Sequence, residues 1–317
     1  MAEIRTHDED EHDNAYSGLL VNDSHWAFGS AAVPEGHGAD PLAGVDTTVP
    51  EGVDAADLAT YSLALGDDAL VMSQRIAEWC SNAPDLEEDI ALANIALDLL
   101  GQARLLLARS ARADSSLVPA LPDDSPVPPE DALAFFREAR EFRNARLTEV
   151  PRGDFAEVVT RVLLFSTWRL AVLEQLRSSR DTVLAAVAAK GVKEVAYHRD
   201  FAARWFVTLA LGTEESRRRL LSALHGLWPL WPELFDDHAD DLALAAAGVG
   251  VAPSTVRDAA DDVLDEVLAA GELERPAPAR LSGVNGGTGR DGMHTEALSL
   301  MLAEMQSVAR THPRGQW

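Results

Sequence analysis

The sequence predicts an all-α fold, a bundle of helices. Apolar residues recur at helical spacing through most of the chain beyond residue 56, as in Leu58, Tyr61, Leu65, Met72, Ile76 and Trp79. Helix-start residues precede the apolar runs: Asp85 with Glu88, Asp154 with Glu157, then Asp181, Thr213 and Ser254. No stretch alternates apolar and polar residues as a half-buried strand requires.

Residues 1–56 have no hydrophobic period and are rich in Asp, Gly and Pro, which predicts an acidic, disordered extension ahead of a single helical domain over 57–317. Residues 1–57 hold 13 acids against one arginine. Glu9 and His12 share the Glu-x-x-His spacing of a metal ligand pair, but no apolar helix surrounds them, so they read as solvated tail.

The first helix is expected from about Asp57 to Cys80. Asp68 falls in its apolar column, where a carboxylate must be hydrogen-bonded, paired or metal-bound. The second helix, from Asp85 to Ala111, is apolar on most turns, yet Asn94, Asp98 and Gln102 recur four residues apart on one strip. Spacing alone makes this a solvated face; inside a bundle it is where carboxylate-ligated di-iron proteins keep their ligands.

A proline-rich connection, SSLVPALPDDSPVPPE, separates this pair from a third helix over 130–149. Arg137, Arg140, Arg143 and Arg146 stand at every third position there. They are expected to form a solvated face with Glu138 and Glu141, the alternative being a grip on a phosphate-bearing ligand or acidic partner. Asp154 and Glu157 open a strongly apolar fourth helix, and Asp181 caps a fifth that runs to about Leu211. On the fifth, Glu194 and His198 share a strip with Phe201 and Trp205 and are expected as a buried, hydrogen-bonded pair. Thr213 opens a sixth helix stopped by Pro229 and Pro232, and Ser254 opens a seventh. The glycine-rich LSGVNGGTGRDGMHTE lacks the Gly-Lys-Ser/Thr ending of a phosphate cradle and follows no strand, so it is expected as a loop into the last helix.

The formal charge of -25 excludes unaided nucleic-acid binding; Lys190 and Lys193 are the only lysines. Cys80 is the sole cysteine, which excludes an internal disulfide and cysteine-based metal clusters. The acidic start and the lack of an uncharged apolar run of ~20 residues predict a cytoplasmic protein with no membrane partner.

Several blocks carry a resemblance: GDDALVMSQRIAEWC, LEEDIALANIALDLLGQAR, EFRN at 141–144, GDFA at 153–156, KEVAYH at 193–198, GTEES at 212–216 and HTEALSLMLAEMQ. In this order and spacing the chain resembles, over about residues 57–317, the C subunits of bacterial phenylacetyl-CoA epoxidases. The resemblance implies a ferritin-like bundle with extra helices, acting in aerobic phenylacetate degradation as a structural subunit without an active site. It also implies a heterodimer, or dimer of heterodimers, with the catalytic A subunit alongside other components of the complex. The di-iron centre then belongs to the A subunit, and flavin, iron-sulfur and NADPH enter through a reductase, with no cofactor in this subunit. Against a ferritin-like Glu-x-x-His segment, Leu99 stands in the Glu place and Gln102 in the His place.

The residues argue the same way. A di-iron carboxylate site takes a Glu from each of two helices and Glu-x-x-His from two more. Outside the tail pair this chain offers no Glu-x-x-His. Asp68, Asn94, Asp98, Gln102, Glu194 and His198 are therefore expected as a metal-free, hydrogen-bonded polar core, which the resemblance implies is the vestige of a metal site. Two alternatives stand beside this: an autonomous di-iron oxygenase using Asp68, Asp98, Glu194 and His198, and a helical binding module that works through the third-helix arginines.

Overall fold

A computed structural model describes residues 40–281 and 283–315. Among the described residues the chain is all-α, with eleven α-helices, short 3-10 turns and no strand. Four long helices make the ferritin-like bundle: α1 Ala55–Ala77, α2 Leu86–Ala113, α5 Phe155–Leu176 and α6 Thr182–Leu211. Smaller helices surround it: α3 Pro129–Phe135, α4 Arg146–Glu149, α7 Glu214–Leu227, α8 Ala239–Ala246, α9 Arg257–Ala270, α10 Glu296–Met305 and α11 Ser307–Thr311.

The caps explain where the long helices start. Asp54 accepts from Ala56 N ahead of α1, and Asp85 from Glu87 N ahead of α2. Asp154 and Glu157 form a complete capping box on α5, while Asp181 and Thr213 cap α6 and α7. Helices α1 and α2 run antiparallel, since Ser73 Oγ donates to Ala96 O (2.6 Å) near one end and Gly66 meets Leu107 near the other. Gly66 permits that approach: a Cβ there would lie 3.0 Å from Leu107 Cδ2. By length and composition α2 is apolar enough to cross a bilayer, but half of its apolar window is buried inside the bundle.

The compact unit begins at Pro41, so residues 41–54 belong with the bundle and not with the extension that composition predicts up to residue 56. Leu42 supplies an apolar anchor at 3% exposure, and the buried Arg109 on α2 donates to Thr47 O (3.0 Å). The earlier part of that extension, with Glu9 and His12, lies outside the described residues.

The third helix expected over 130–149 is broken into α3, a 3-10 turn at Ala139–Glu141 and α4. Its arginines do not share a solvated face. Arg137 is buried against Asp67 and Arg146 against Glu233, Arg143 is half-buried, and Arg140 is exposed. Both buried guanidiniums reach carboxylates far away in sequence, and satisfying them bends the chain out of one continuous helix. Ser254 likewise does not cap α9; it sits in a 3-10 turn at Pro253–Val256 and donates through Oγ to Asp237 Oδ2 (2.6 Å). At the far end, buried Glu149 receives Thr295 N (2.6 Å) and meets His294 Nδ1 (2.7 Å), which fastens the start of α10 to α4.

Candidate functional site

The second-helix strip does not have one environment. Asn94 is exposed, Asp98 is partly exposed, and Gln102 is buried at 3% exposure. Successive fourth residues on a helix drift by about 40°, and over two such steps the strip rotates from solvent into the seam with α6. Asn94 therefore does not belong to the buried polar core expected of it.

Asp98 and Gln102 each meet one residue of α6. Asp98 Oδ2 lies 2.9 Å from His198 Nε2, and Gln102 Nε2 donates to Glu194 Oε2 (3.0 Å). Glu194 and His198, expected as a pair with one another, are instead separate partners of two α2 residues. Because the residue numbers run in opposite directions, α2 and α6 are antiparallel. Gly191 lets the Gln102 amide lie against the α6 backbone, since a Cβ there would sit 3.3 Å from Nε2. Lys190 Nζ stands 3.4 Å from Glu194 Oε1 at the solvent edge, beside a cavity of about 100 Å³ that Leu42, Val45, Leu105 and Val187 help to line.

The residue that completes this core is Arg169 of α5. It is 0% exposed, donates through Nη2 to Gln102 Oε1 (3.2 Å) and through Nη1 to Leu65 O (3.1 Å), and its Nε has no hydrogen-bond partner among the described residues. Burial pushes this guanidinium down to about 10, Asp68 opposing the shift and Arg290 adding to it. A polar relay thus crosses the bundle from Arg169 through the Gln102 amide to Glu194. A lone charge inside FSTWRLAVL is the sequence signal for it, because a buried charge demands partners.

Asp68 is not in this relay. It is buried at 0% exposure and accepts Ala145 N (2.8 Å) together with both terminal nitrogens of Arg290, at 3.0 and 2.7 Å. Burial works against the charge on Arg290, but Asp68 outweighs it and holds the group above the ordinary arginine range. The demand for a partner is legible in the sequence; the partner lies 222 residues away.

These residues do not fit a di-iron centre. A buried guanidinium bonded to the Gln102 carbonyl would repel a divalent cation, and amides are poor iron ligands. His198 Nε2 is engaged by Asp98 and the Asp68 carboxylate by Arg290, leaving Glu194 as the one carboxylate in the relay. Among the described residues, Asp85, Glu87 and Glu88 come close enough together to suggest a cation, but they form the acidic first turn of α2, where carboxylates suit the helix dipole.

Comparison with known proteins gives this arrangement a setting. Residues 45–317 match the family described as phenylacetic acid catabolic protein. The chain belongs to that family. Its relatives include the C subunit of 1,2-phenylacetyl-CoA epoxidase of Escherichia coli (strain K12), 42% identical over 261 residues, which cover 82% of this chain and 99% of that protein. In this family member the Arg169–Gln102–Glu194 relay links three of the four bundle helices, α5, α2 and α6.

Proposed function

We propose that this family member is a non-catalytic structural subunit of a multicomponent phenylacetyl-CoA ring epoxidase, pairing with and stabilising a di-iron catalytic A subunit. The observation that carries this reading is Arg169, a buried cation in the bundle core bonded to Gln102, whose amide in turn holds Glu194. A core built this way spends its polar groups on one another, cross-links helices and so stiffens their outer faces. The relative's name, as the C subunit of an epoxidase, supports the same role.

On this reading the complex draws on di-iron in the A subunit, and on flavin, iron-sulfur and NADPH through its reductase, while this chain contributes helix surface. Its compartment is the cytoplasm. The test is co-expression of the A subunit with and without this chain. The expected result is soluble, assembled and active epoxidase only in the presence of the chain; an A subunit fully soluble, assembled and active by itself overturns the proposal.

A further inference from the structure

We infer that the cavity between α2, α6 and the chain segment ahead of α1 is a binding site for a small neutral alcohol, its apolar body inside and its hydroxyl set between Glu194 and Lys190. Every residue involved lies in this chain, so the inference does not rest on the pairing proposed above. The cavity measures about 100 Å³ and takes its apolar walls from three parts of the chain: Leu105 of α2, Val183 and Val187 of α6, and Leu42 and Val45 of the preceding segment. That segment is fixed as a roof. Arg109 donates to Thr47 O, Thr182 Oγ1 to Asp46 O and Arg180 to Glu51 O, so side chains from the ends of α2 and α6 hold its main-chain carbonyls.

Gly101 enlarges this space. It lines the cavity from within α2, where glycine weakens a helix relative to alanine. Neither usual reason for a glycine applies, since its φ is not positive and a Cβ on it would meet nothing within 4 Å. Gly191, across the seam, is the contrast: a Cβ there would lie 3.0 Å from Leu173 Cδ1 and 3.3 Å from Gln102 Nε2. A larger residue at position 101 would therefore strengthen the helix and fill the cavity.

The polar end defines the chemistry of the ligand. Glu194 is buried at 7% exposure; Gln102 donates to its Oε2, while Oε1 has the Lys190 ammonium at 3.4 Å, too long for a good hydrogen bond. A hydroxyl between them donates to Oε1 and accepts from Nζ, which satisfies both. The ion pair is neutral as a whole, so a carboxylate would be repelled by Glu194 and an ammonium by Lys190. Water suits the polar end but not the apolar walls, because an ordered water needs about two to four polar partners. An apolar cavity of about 150 Å³ admits benzene, so this smaller one suits a chain of about three or four carbons.

The experiment titrates the full chain with 1-butanol and follows its methyl groups by NMR, with butyrate and butylammonium as charged counterparts of the same length. Saturable shifts are expected at Leu42, Leu105, Val183 and Val187, and both charged counterparts are expected to bind at least about 10-fold more weakly than the alcohol. Gly101→Leu should weaken 1-butanol about 10-fold or more with a urea midpoint at or above the parent's. Gly101→Ala, the gentler filling, should raise the midpoint and weaken 1-butanol by a smaller factor, and it decides the matter if the leucine variant does not fold. Parent-like affinity in the folded variants, or the absence of saturable shifts at those four residues in the parent, overturns the site. Binding of butyrate or butylammonium as tight as that of 1-butanol overturns the assignment to a neutral alcohol.

Discussion

Around Asp67 and Asp68 each buried carboxylate faces an arginine and a backbone N–H: Arg137 and Arg143 N for the first, Arg290 and Ala145 N for the second. Arg169, also fully buried, has no carboxylate bonded to it among the described residues and shares its charge with an amide and a carbonyl. The first cluster is matched charge for charge and ties α1 to chain segments 70 to 222 residues away. The second is a cation bonded only to neutral acceptors, where burial lowers its affinity for its proton and the nearby Asp68 charge opposes the shift. Buried polarity matched charge for charge is thus distinguishable from a buried cation held by neutral acceptors.

Breaking the matched cluster has the largest expected effect. Asp68→Ala leaves the part-buried Arg290 without its carboxylate and Ala145 N without its acceptor, and toward the low end of the usual cost of breaking a buried pair it should lose about 3 kcal/mol of stability in urea unfolding. Arg169→Met removes a desolvated cation at similar volume, leaving the Gln102 carbonyl and Leu65 O short of a donor. Its loss should be smaller, about 1–3 kcal/mol by the same measurement, and equality of the two losses would erase the contrast. His198→Phe releases the partly exposed Asp98 to water and is expected to cost about 1 kcal/mol.

The smallest effect sharpens the edge of the matched cluster. Asp241 feels Arg290 but is raised above its ordinary 3.8, burial being the main cause. A carboxyl whose folded-state pKa is raised contributes stability that is full below 3.8 and lost as pH rises through the folded value. Asp241→Asn can still accept the His238 N–H through its amide oxygen, so its advantage over the parent should grow from acid toward neutral pH in urea midpoints measured across that window.

The long helices and most of their caps are readable in the sequence because both are local properties of the chain. The break in the third helix is not, for the opposite reason. Arg137 and Arg146 have glutamates nearby in sequence, yet their partners, Asp67 and Glu233, stand 70 and 87 residues away. At the candidate site, periodicity places Gln102 and Asp98 on a strip, but only the position of α6 decides that Asn94 falls on its wet side. Spacing also pairs Glu194 with His198, whereas the neighbouring helix supplies a partner to each. Arg169 escapes a search for ligand types because it is a cation, and its partners Gln102 and Leu65 lie on two other helices.

Iron counting on the reconstituted complex tests the central claim most directly. With Glu194→Gln and His198→Gln in this chain, iron per complex should equal that of the parent complex, all of it residing in the catalytic A subunit. A stoichiometric loss of iron with either substitution would place a working metal site in this chain and contradict the account.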